Sequence, residues 1–207
     1  AAFVYAASFW QAPLFAMLRL PALPIASVQG ASLVLGVVVG VFGLAGVLCS
    51  VMVYQVTGRE WWGGGRTAWR FMLTSAVLGP ATTMLVAAVT GILLGLDVAL
   101  SAATPVLVSI VTLSAALKLT VDGSILLHLA DRQLGELKRT AVLLRGALRK
   151  PFVGRMVLGV VGGLLGPLWL ARLVAEGPAR HGSTIVAVAL LIWLSLLISE
   201  LLERALF

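Results

Sequence analysis

Long apolar runs separated by short polar breaks dominate this chain. In lipid each backbone polar group must be satisfied within its own helix, so about 20 mostly apolar residues in a row read as a transmembrane helix. Six such runs are visible, roughly at 1–20, 31–57, 67–95, 98–121, 152–175 and 183–207. The first stops at Arg19 and the Pro21/Pro24 pair, the second at Gly58, and the fourth can continue as helix past Asp122. No alternation of apolar and polar positions is sustained, which argues against strands. The pattern predicts an all-α integral membrane helical bundle that forms one domain over 1–207.

The segment 124–150 departs from this pattern. Leu127, Leu134, Leu137, Ala141, Leu144 and Leu148 recur at helical spacing, while Arg132, Glu136 and Arg139 lie off that stripe. An amphipathic helix on the cytoplasmic interface, or an extension of the fourth run, is expected here. A docking surface for a partner subunit is the functional alternative.

Composition sharpens the class. The chain is 60% hydrophobic and 11% charged, against about a quarter charged in soluble domains. Its net charge of +7 would suit nucleic acid, but the basic residues sit between apolar runs, so membrane topology explains them and no nucleic-acid partner is expected. Arg59, Arg66, Arg70, Lys118, Arg132, Lys138, Arg139, Arg145, Arg149, Lys150, Arg155 and Arg204 fall toward one face, and only Arg19, Arg172 and Arg180 toward the other. By the positive-inside rule the first face is cytoplasmic. Trp61, Trp62 and Trp69 suit an aromatic belt at that face, with ring stacking as the alternative. The chain opens Ala1-Ala2-Phe3 without a basic leader, so no signal peptide is expected and a longer membrane domain is.

Several chemistries lack their residues. Cys49 is the sole cysteine, so a disulfide within the chain and a cysteine-built zinc or iron–sulfur site are not expected. Only His128 and His181 are present, predicted on opposite faces, which disfavours a bis-histidine haem. Neither a phosphate-binding glycine loop nor a nucleophile elbow occurs.

Polar residues inside apolar runs are costly and often functional. Lys118 and Asp122 lie four apart near the end of the fourth run, as do Glu200 and Arg204 near the end of the sixth. Either pair could form within its own helix. Arg70 and Arg155 lie just inside the third and fifth runs, at the same predicted end. Such a cluster could bind a quinone ring and move its protons; structural ion pairs or snorkelling side chains are the plainer reading. Gly36, Gly40, Gly43 and Gly46 share a face of the second run, and the fifth holds Gly159/Gly163 and Gly162/Gly166. Small residues four apart predict close helix packing. Pro80, Pro105 and Pro167 are candidate kinks.

Three stretches together resemble a known family. They are Val53-Tyr54 through Trp61-Trp62 to Arg70-Phe71-Met72-Leu73-Thr74 and Gly79-Pro80; Gly154-Arg155-Met156-Val157-Leu158 with Gly162-Gly163 and Pro167; and Ser199-Glu200-Leu201-Leu202-Glu203-Arg204-Ala205-Leu206-Phe207. Their order is similar to the membrane-anchor subunits of dimethyl sulfoxide reductase and its relatives, the quinone-reactive anchors of molybdopterin oxidoreductase complexes. The resemblance implies an eight-span anchor in a bacterial or archaeal inner membrane, six spans of which are visible. The family's His-Leu-Gly-x-Pro and Ser-x-Glu stretches, linked to quinol binding, have no counterpart here. It further implies electron exchange between menaquinone or ubiquinone and an iron–sulfur subunit serving a molybdopterin catalytic subunit, with no haem or metal in this chain. Arg70, Arg155, Glu200, Arg204 and Trp62 are the candidate quinone-binding residues, and Lys118 and Asp122 a candidate proton or ion-pair site. A purely structural anchor predicts that this end is packed shut, and a small-molecule or ion transporter predicts repeats and a midplane polar site.

Overall fold

The computed structural model describes residues 28–56, 64–94, 97–130 and 135–206. They form helices α1 (Val28–Val56), α2 (Gly64–Leu94), α3 (Asp97–Gly123), α4 (Glu136–Arg145), α5 (Arg149–Val160), α6 (Gly166–Ala175) and α7 (Pro178–Leu206). A 3₁₀ turn, Ser124–Ala130, follows α3, and one π-helical turn, Val161–Leu165, joins α5 to α6. Among the described residues there is no strand, and five helical stretches are long and apolar enough to cross a membrane, with α5, the π turn and α6 counting as one rod over Arg149–Ala175. The membrane-spanning helical class expected from the apolar runs is the class observed. The first run, 1–20, lies outside the described residues.

Contacts divide the chain into two compact units, Ala1–Phe71 and Met72–Phe207, with the boundary inside α2. In the first unit α1 is apolar on all sides. Among that unit's described residues, apart from the adjacent residues and α1's own backbone, no atom lies within 4 Å of the place a Cβ would take on Gly40, Gly43 or Gly46.

The second unit is a bundle whose core has a plain origin in spacing. Val77, Ala81, Met84 and Ala88 of α2 recur at intervals of three and four, as do Val108, Val111 and Ala115 of α3 and Ile185, Val188, Ile192 and Leu196 of α7. These stripes meet Leu170, Leu173 and Val174 of α6 in one cluster. The outer surface is equally apolar: Leu113, Leu191 and Leu168 are 73%, 61% and 52% exposed. An apolar outside around an apolar inside suits lipid as the surrounding solvent.

Close packing is concentrated on the rod. A Cβ on Gly163 would lie 2.4 Å from the Cβ of Ala115 on α3, and one on Gly159 2.8 Å from Leu119. A Cβ on Gly162 would lie 2.9 Å from Ser195 on α7, and one on Gly166 2.6 Å from Ile192. The two glycine pairs therefore serve two neighbours, one on each side. The π turn fits the same local need: Gly166 donates its N–H to the carbonyl of Val161, five residues back, just before Pro167 enters at the second position of α6. A wider turn there eases the clash between a proline ring and the preceding turn. Pro80 and Pro105, by contrast, sit within α2 and α3 without ending either helix.

The segment 124–150 is not one continuous helix. The 3₁₀ turn leaves Leu127 75% exposed, whereas Ala141 and Leu144 of α4 are buried. The stripe read along the sequence is thus split between two short elements.

Candidate functional site

The core stripes of two helices end in charge. Continuing the interval of three and four, α3 passes from Val111 and Ala115 to Lys118 and Asp122, and α7 from Ile192 and Leu196 to Ser199, Glu200 and Glu203. On α5 the inward face carries Phe152, Arg155 and Gly159. Because the charges are in phase with the apolar stripes, the same packing that forms the core carries them inside. Lys118, Asp122, Arg155, Glu200 and Glu203 are 3%, 0%, 1%, 6% and 6% exposed.

They form one connected network across the bundle. Lys118 Nζ meets Glu200 and lies 2.7 Å from Glu203 Oε2. Arg155 Nη2 meets Asp122 and lies 2.8 Å from Glu203 Oε2. Glu203 therefore bridges the two cations. Thr74 of α2 closes the edge: Lys118 Nζ donates to Thr74 Oγ1 at 2.6 Å, and that hydroxyl lies 2.8 Å from Glu200 Oε2, to which it donates. Ser199 Oγ donates to the backbone carbonyl of Arg155 at 3.1 Å and so ties α7 to α5 at the same level. The ends of α3 and α7 and the starts of α2 and α5 supply these groups, so the network occupies one end of the bundle.

Two features limit its chemistry. Nε and Nη1 of Arg155 are buried without a hydrogen-bond partner among the described residues. Beside them, a cavity of about 10 Å³ is lined by Lys118, Arg155, Ser199 and Glu200 together with Leu119 and Leu196. That is about the space of one water molecule, far below the roughly 300–1,000 Å³ of small-molecule pockets. A quinone ring does not fit there.

The residues singled out from the sequence separate accordingly. Lys118, Asp122, Arg155 and Glu200 come together. Their observed partners lie on other helices, where the sequence suggested pairs four apart on one helix. Arg204 is exposed at the end of α7, and Arg70 is half-buried on the part of α2 that belongs to the first unit. Trp62 lies outside the described residues. Glu203 and Thr74 were not singled out, although Glu203 is the link between the cations. Its signal was present: it lies three residues after Glu200 and so shares its face. Thr74 carried no comparable signal, because hydroxyls in membrane helices commonly bond to their own backbone, as Thr82, Thr83 and Ser109 do here. No protein-family model, curated protein or solved structure matches the chain.

Proposed function

We propose that this chain is the membrane-anchor subunit of a respiratory molybdenum oxidoreductase, exchanging electrons between the membrane quinone pool and a partner iron–sulfur subunit. The observation that carries the reading is the buried network of five ionisable side chains at one end of an apolar bundle. Ionisable groups within a membrane are expensive and are retained where they serve a function, and the sequence pattern assigns the chain's excess of basic residues to this end. In this reading the network does not hold the ring, for which it has no room. It fixes α2, α3, α5 and α7 against one another at the face where partner subunits would dock. Quinone, when bound, supplies the two-electron and two-proton chemistry; this chain supplies a rigid, charged end to the bundle.

A second reading is a structural anchor that holds a peripheral complex without touching quinone. The cavity of about 10 Å³ among the network's own side chains favours it, since a ring has no room there.

Purification from native membranes in mild detergent tests the proposal. Molybdenum, iron and two larger subunits are expected to accompany the chain. The assembled complex should turn over with a short-chain quinol, and removing this chain should abolish that activity while leaving dye-driven activity of the remaining subunits. Quinol turnover that survives removal would favour the structural anchor. A lone, metal-free homo-oligomer would overturn both readings.

A further inference from the structure

A second feature lies at the same end of the bundle, outside the ion network. The 3₁₀ turn after α3, the last turn of α4 and the first turn of α5 enclose a groove of about 290 Å³. Its wall is apolar, formed by Leu129, Leu144, Phe152 and Val153, and its two polar side chains are Arg145 and Arg149. Both arginines are exposed. We propose that this groove binds one anionic phospholipid, with the phosphate held by Arg145 and Arg149 and an acyl chain lying on the apolar wall.

Charge, position and continuity each support that occupant. Residues 136–150 carry five basic side chains and one acidic, and juxtamembrane basic clusters attract anionic headgroups. Neither an acidic residue nor a capping side chain occupies the start of α5, so nothing there repels a phosphate, and the helix dipole favours it. The groove also opens along the rod. Val153, Val157, Val160 and Val161 form an exposed apolar stripe, 38% to 54% exposed, that runs from the arginines toward the middle of the spanning helix. A two-part ligand with an anionic head and a long apolar tail matches this order of surfaces. A soluble anion would leave the wall uncovered, and a zwitterionic lipid would leave the net charge of the two arginines unbalanced.

The test uses the full chain, stripped of endogenous lipid in detergent and titrated with phosphatidylglycerol or phosphatidylcholine, with native mass spectrometry counting bound molecules. One phosphatidylglycerol should be retained at least fivefold over phosphatidylcholine. R145Q/R149Q should remove that preference. Val153→Trp, which fills the groove and leaves every charge in place, should lower phosphatidylglycerol retention by a similar factor. K138Q/R139Q removes the same number of charges from the same segment away from the groove, and should retain the lipid. Equal retention of the two lipids would overturn the proposal. So would equal losses in R145Q/R149Q and K138Q/R139Q, which would mean diffuse attraction, or an unaffected Val153→Trp, which would mean the groove is not used. A co-purifying protein that displaces the lipid and covers the arginines would also overturn it.

Discussion

At the scale of single residues, Arg155 joins two carboxylates from two different helices through one nitrogen. Truncating it would leave Asp122 buried without this cation and Glu203 with Lys118 alone. Breaking a buried pair by removing one partner costs about 3–5 kcal/mol. Arg155→Ala is therefore expected to lower the thermal midpoint of the detergent-solubilised chain sharply or to abolish accumulation of folded protein. Arg155→Lys keeps the charge but offers a single compact ammonium in place of a planar fork, and should fall between Arg155→Ala and the parent. A thermal scan by fluorescence-detected size exclusion checks the order; an unchanged midpoint in Arg155→Ala would show that the pairs add nothing. The sequence allowed the charges to be located but not their partners. Lys118 and Asp122 lie four apart, which favours a pair along one helix on local grounds. Their observed cross-helix contacts depend on helix orientation, which spacing within one helix does not determine.

At the scale of elements, the rod from α5 to α6 shows what small residues accomplish without a hydrophobic drive between helices. In lipid, association rests on packing and hydrogen bonds, so lost contact is not recovered elsewhere. Gly163→Ala puts a Cβ 2.4 Å from that of Ala115, and overpacking of this kind costs about 1–3 kcal/mol. Gly154→Ala meets only Leu202, at 3.8 Å, and should be near neutral. Ala115→Gly should restore Gly163→Ala when the two are combined, because it removes the clashing atom. Thermal midpoints of the three variants and the double variant would test this, and a failed rescue would place the strain elsewhere. Both glycine pairs of the rod were readable as close-packing positions, since spacing of four on a helix fixes a shared face. The π turn was not readable, because a one-residue change in hydrogen-bond register leaves no compositional trace apart from the glycines and Pro167 beside it.

At the scale of the whole molecule, the five apolar runs that fall on described residues coincide with long helices, because length and hydropathy are imposed by the bilayer itself. The 3₁₀ turn and short helix between α3 and α5 were merged into one amphipathic segment, since both follow helix-like spacing of leucines. The rod of 27 residues is about 40 Å long at 1.5 Å per residue, long enough to cross a bilayer, and a crossing rod puts the turns at its two ends on opposite sides. In a Cys49→Ser background, Ala147→Cys should react with a membrane-impermeant thiol reagent from one side and Glu176→Cys from the other. Labelling of both from one side would mean that the rod does not cross. The same arrangement bears on biogenesis. Lys118 and Arg155 precede Glu200 and Glu203 along the chain, and a lone charge on a membrane helix costs up to about 3 kcal/mol even by insertion scales. Until the last helix docks, the nascent bundle carries two cations with only Asp122 to offset them. That helix brings the two carboxylates that pair with them, so a chain truncated before α7 would leave Lys118 and Arg155 without Glu200 and Glu203. The charge balance of the bundle thus depends on its last helix.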